Sequence, residues 1–191
     1  VVNAVETLVQ QGRVRPVIVI GIPNTQRRRD LTGPTEVASD RAIAPKVGGS
    51  AAFRQFIREE LIPEIDRRYK TTAERGIIGE SLAGLFVVET FLEEPSLFTH
   101  YVALDPSLWW NEGTLVGSAA NRLRAFDSSP RTLYLAASKD AESRGGPSQL
   151  AEVIRRSPPP GLQWDYKLRR DLTHGTIFRA LENEALEAAL R

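Results

Sequence analysis

The 191-residue chain contains no cysteine. That removes disulfides, thiolate metal sites and cysteine nucleophiles, while leaving the compartment open. Only two histidines occur, His100 and His174, which argues against a multi-histidine metal site. Methionine is absent even at position 1, so the natural N-terminus, with any leader, is expected upstream of Val1. Excess charge of one sign is missing too: 25 Lys and Arg face 24 Asp and Glu, interleaved along the chain. Nucleic acid and membrane surfaces therefore find no electrostatic footprint. The longest apolar runs are strand length, far short of the roughly 20 residues that cross a bilayer. Nothing in the composition fixes the compartment or the oligomeric state.

What is present is a soluble globular composition, 41% hydrophobic and 26% charged. The length suits one domain over residues 1–191 with a sizeable core. Apolar positions at helical spacing predict a helix over 1–11, ended by Gly12, and "RPVIVIGIP" (15–23) predicts a strand buried on both faces. Residues 24–50, rich in Arg, Gly, Pro, Thr and Ser, are expected to form a long surface loop. A helix is expected over 51–69, bent at Pro63, then a buried strand over 75–80 and a helix over 82–94. Strands follow at 100–105, 132–138 and 162–170, with a closing helix at 176–190. The segments 140–149 and 157–161 read as Gly/Pro-rich loops. Strands alternating with helices make parallel βαβ units, so the class is α/β.

The chemistry gathers around "GIIGESLAGLF" (76–86). In a parallel sheet, reactive groups collect beyond the carboxyl ends of the strands. Ser81 falls there, between a strand ending near Gly79 and a helix starting near Leu82. A tight turn of this kind exposes the serine hydroxyl and aims the next backbone N–H at a developing oxyanion. The strict G-x-S-x-G pattern has Gly where Ala83 stands, and a plain serine N-cap is the competing reading. His174, in "LTHGT", follows the last strand on the same edge, and an imidazole accepts a proton near neutral pH. His100 starts its strand on the opposite edge and reads as structural. An acid is required between serine and histidine in chain order. Asp140, Glu142 and Asp105 all follow strands, and Asp140 is favoured. Trp109 and Trp110 could wall a pocket on this edge or simply be core aromatics. Arg27, Arg28 and Arg29 could grip an anionic substrate or form an Arg–Asp network.

Several longer phrases carry a resemblance: "RPVIVIGIPNTQRRRDLT", "FIREELIPEIDRRY", "IIGESLAGLFVVETFL", "DPSLWW" and "HGTIFRAL". Over nearly its whole length the chain resembles the esterase family of α/β-hydrolases that includes esterase D-like and ferric-siderophore esterase-like enzymes. The resemblance implies a three-layer sandwich around a mostly parallel sheet, with no metal or organic cofactor. Ser81 becomes the nucleophile, His174 the base and Asp140 the acid. The Leu82 N–H supplies one oxyanion donor, and Trp109, Trp110, Glu80 and Arg28 become substrate-binding candidates. Many members have His where Glu80 stands; a carboxylate there would disfavour anionic substrates or shift the base's pKa. Members also carry, before the first helix seen here, a strand ending in Asp-Gly or His-Gly that gives the second oxyanion donor. N-terminal strands are therefore expected beyond Val1. The implied function is a serine carboxylic-ester hydrolase working through an acyl-enzyme on a small or medium ester. An acyltransferase on the same fold, or a catalytically inert binding module, are the alternatives.

Overall fold

The computed structural model describes residues 1–24 and 26–190. Four short runs rich in apolar residues, β1 (Gly76–Glu80), β2 (His100–Leu104), β3 (Arg131–Ser138) and β4 (Leu162–Arg169), form one parallel sheet in the order β1-β2-β3-β4. Side chains alternate across a strand, and both faces are covered. Tyr101, Ala103, Leu133 and Leu135 point to one face. There they meet α6 (Leu82–Glu93), α7 (Thr114–Leu123) and α9 (Pro147–Arg156) through residues such as Phe91, Leu123 and Ile154. Val102, Leu104, Tyr134 and Ala136 point to the other face and pack on Ile177, Leu181 and Ala185 of α10 (Ile177–Leu190). Helix α1 (Val2–Gln10) extends that layer, with Val5 and Leu8 packed beside Leu186. The result is a three-layer sandwich. Among the described residues, no helix is long and apolar enough to cross a membrane.

Register matters most for the site. Glu80, Leu104, Ala136 and Lys167 are successive partners across the sheet; β1 and β2 end at this row, while β3 and β4 run two residues beyond it on the same edge.

Four expectations need correction. Residues 15–23 are not a strand: the segment has no ladder partner among the described residues, and Val17, Ile18, Ile20 and Ile22 stay exposed. A β-branched run favours extended backbone, yet a strand exists only where a neighbour accepts its hydrogen bonds. The stretch 140–149 is not a loop. It holds the end of α8 (Lys139–Arg144) and the start of α9, separated by Gly145 (φ 88°) and Gly146 (φ 112°). Gly-Gly-Pro here stops one helix and starts the next, with Pro147 in the first turn. The 24–50 loop contains two short helices, α2 (Arg27–Asp30) and α3 (Ala38–Ala42). Buried Asp40 organises it by accepting from Thr35 Oγ1 (3.0 Å) and the Asn111 backbone N–H (2.8 Å). The 51–69 helix does not simply bend. It runs as α4 (Ser50–Phe56), widens through a π-turn at Ile57–Leu61, and resumes as α5 (Ile62–Arg68) around Pro63, where the proline ring leaves a carbonyl without its donor.

Candidate active site

Ser81 joins β1 to α6 with φ 62° and ψ −120°, a conformation that non-glycine residues adopt at a cost of about 1–3 kcal/mol. The turn is held from both sides: Ser81 N–H donates to Leu104 O (3.1 Å), and Ser107 N–H donates to Ser81 O (3.1 Å). A Cβ placed on Gly79 would lie 2.5 Å from the carbonyl of Ala83, so glycine is required at 79. With Gly at 79 there is room for a methyl at 83, which explains why Ala83 replaces the second glycine of the strict pattern. Leu82 is the first residue of α6, where a backbone N–H has no intrahelical acceptor. It lies at the positive end of a twelve-residue helix.

Asp105 follows β2 as Ser81 follows β1, also at positive φ (49°). Its carboxylate is fully buried and accepts three hydrogen bonds. Oδ1 takes the Ser138 backbone N–H (2.5 Å), and Oδ2 takes the Ser138 hydroxyl (2.9 Å) and His174 Nδ1 (2.6 Å). An imidazole that donates from Nδ1 keeps Nε2 as its acceptor.

The expectation for Asp140 is therefore corrected. Asp140 Oδ2 does not meet the ring; it accepts the backbone N–H of His174 at 2.8 Å. Two carboxylates grip one histidine at two different atoms. Which of them reaches the ring is decided by stagger. Asp105 extends directly from β2, whereas Asp140 sits in the first turn of α8. Glu142 is committed elsewhere, accepting from Tyr166 Oη (3.1 Å) and the Ser148 N–H (3.2 Å). His100 lies at the far edge, with Nδ1 2.9 Å from Thr132 Oγ1.

Glu80 is half-buried beside this group. Burial first, and Asp105 to a smaller extent, raise its pKa, while His174 and Arg27 pull it down. A carboxyl whose folded pKa lies above its unfolded value gives stability at low pH that is lost as pH rises through the folded value. Glu80→Gln is accordingly expected to raise Tm at pH 7–8 and to leave it unchanged at pH 4, as read by thermal denaturation at both pH values.

The remaining candidates separate. Trp110 does not wall a pocket: it is 4% exposed and its Nε1 donates to Gly33 O (2.9 Å), pinning the 24–50 segment onto the core. Trp109 is partly buried, with the Arg144 guanidinium 5.4 Å from its ring centroid. Arg28 donates to Ile43 O. Arg28 also lines, with Arg27, Arg29 and Lys46, an open cavity of about 450 Å³ whose lining includes no carboxylate. Ser138, the residue that ties Asp105 to α8, was not singled out from sequence. Its signal was local: a serine ending a strand and preceding a helix is an N-cap.

Residues 2–146 match the family model described as "Putative esterase". The chain belongs to this esterase family. It is 38% identical over 112 residues to the ferri-bacillibactin esterase BesA of Bacillus subtilis, covering 52% of this chain and 39% of that protein. It is 31% identical over 138 residues to a siderophore enterobactin esterase of Emericella nidulans, covering 61% and 46% respectively. The esterase-family chain thus spans less than half the length of these relatives. Among solved structures it is similar to the BES protein from Bacillus cereus (TM-score 0.82, 20% identity, 97% of this chain and 76% of that one). It is also similar to an IroE-like serine hydrolase from Shewanella oneidensis (TM-score 0.79, 24% identity, 97% and 64%). The fold is that of the α/β-hydrolases.

Proposed function

We propose that this esterase-family protein is a serine carboxylic-ester hydrolase. The observation that carries the reading is the alignment of three elements at one sheet edge: Ser81 at positive φ after β1, Asp105 after β2, and His174 bonded to Asp105 at 2.6 Å. His174 Nε2 takes the proton of Ser81 Oγ as the oxygen attacks the ester carbonyl. Asp105 holds the ring in the tautomer that leaves Nε2 free and stabilises the imidazolium. The Leu82 N–H stabilises the oxyanion. Collapse of the tetrahedral intermediate breaks the ester C–O bond, and the imidazolium protonates the departing alcohol. Water, deprotonated by His174, then attacks the acyl-enzyme; the acid leaves and Ser81 recovers its proton.

For the substrate, the cationic cavity at Arg27, Arg28 and Lys46 suits an ester bearing anionic groups. The names of the siderophore-esterase relatives point the same way. Glu80 and Trp109 are the remaining contact candidates. Hydrolysis of an aryl ester such as p-nitrophenyl acetate is expected to fall by at least about 10³-fold in Ser81→Ala and in His174→Ala. Full activity in either purified, folded variant would overturn the reading.

A further inference from the structure

We infer that Asp140 is a positioning residue that acts on His174 through its backbone, and that its charge takes no part in the reaction. The inference rests on the function proposed above. The His174 side chain is 49% exposed, so packing does not fix it, and hydrogen bonds must. Its ring is held by Asp105. Its backbone sits in a turn closed by other donors: Thr176 N–H and Ile177 N–H go to Thr173 O (3.1 and 3.0 Å), and Thr173 N–H goes to Thr176 Oγ1 (3.0 Å). The His174 N–H points outward from that turn, and Asp140 Oδ2 receives it.

Asp140 is itself fixed by the residue that fixes Asp105. Ser138 Oγ accepts from Asp140 N–H (3.1 Å) and Ala141 N–H (3.4 Å) while donating its proton to Asp105 (2.9 Å). One serine hydroxyl therefore sets the distance between the carboxylate on the ring and the carboxylate on the backbone. A ring held at Nδ1 alone could still pivot with its loop, and a misplacement of about 1 Å costs about 10²-fold in rate. The backbone clamp removes that freedom.

The role needs an acceptor oxygen and no charge, which the pair Asp140→Asn and Asp140→Ala distinguishes. The alanine variant is expected to lower kcat on p-nitrophenyl acetate about 10–100-fold, with KM little changed and the acid limb of the pH–rate profile in place. The asparagine variant, which keeps a carbonyl oxygen at the same reach, is expected to restore most of that loss. Amide hydrogen exchange at His174 is expected to be protected in the parent and in Asp140→Asn, and fast in Asp140→Ala. An asparagine variant as impaired as alanine, or one whose acid limb shifts, would show that the charge matters and overturn the inference. So would an alanine variant with parental kinetics. If the parent itself hydrolyses no ester and Ser81 takes no fluorophosphonate, the proposed function falls, and with it the catalytic use of the clamp. The exchange measurement still reports the hydrogen bond, so the two failures are told apart.

Discussion

Asp105→Asn is expected to lower kcat/KM on an aryl ester by about 10³–10⁴-fold while the protein remains folded. The reason is the donor count around this carboxylate. The Ser138 N–H, the Ser138 hydroxyl and His174 Nδ1 all converge on its two oxygens. The hydroxyl has no freedom to turn away, because its oxygen already accepts from Asp140 and Ala141. An amide brings two N–H donors into a site built only of donors. Turned towards Ser138 N–H, it leaves two donors facing each other in a buried place. Turned towards His174, it makes Nδ1 the acceptor, moves the ring proton to Nε2 and abolishes the base. Asparagine tolerates the positive φ of residue 105, so the backbone does not confound the result, and the stability cost stays at about 1–3 kcal/mol. Steady-state kinetics on the purified variant check this, and a loss of less than tenfold would show that Asp105 is not the group orienting His174.

Gly79→Ala is expected to destabilise the fold by about 3 kcal/mol, at the upper end of overpacking costs. The added methyl would lie 2.5 Å from both the carbonyl carbon and oxygen of Ala83 and 2.9 Å from its Cβ. Two of those atoms are helix backbone and cannot rotate out of the way. Relief requires α6 to shift away from β1. The helix carries Leu85, Phe86, Val88 and Phe91 into the core, so the whole layer would have to give. For a chain of this length the expected fall in Tm is about 6–12 °C, with esterase activity falling further because Leu82 moves with the helix. Thermal denaturation tests it; a Tm within about 2 °C of the parent would mean the elbow has slack that its geometry denies.

Some of this was legible in the sequence for physical reasons that can be named. Runs such as "HYVAL" and "TLYLAAS" sit between helices, so both faces are covered and most residues must be apolar or small. That signal is hard to mistake. The strand–Gly–x–Ser–small pattern marked Ser81 because a sharp turn leaves few residue choices. The acid was harder. Asp105 and Asp140 both follow a strand within two residues, and only the stagger of β2 against β3 decides which one meets the imidazole ring. A one-dimensional pattern holds no record of stagger. Likewise "VIVIGI" states a preference for extended backbone, but its partner is a three-dimensional fact, and no described strand supplies one. The helices α8 and α9 escaped because Gly145, Gly146 and Pro147 look like loop punctuation when they in fact mark the boundary between two helices.

In the proposed mechanism Ser81 is an activated nucleophile. The most direct test is intact-mass and peptide mapping after exposure to a fluorophosphonate probe. A single adduct is expected on the peptide containing Ser81, absent in Ser81→Ala and strongly slowed in His174→Ala and Asp105→Asn. No adduct on the folded protein, or an adduct whose rate ignores both His174 and Asp105, would contradict it.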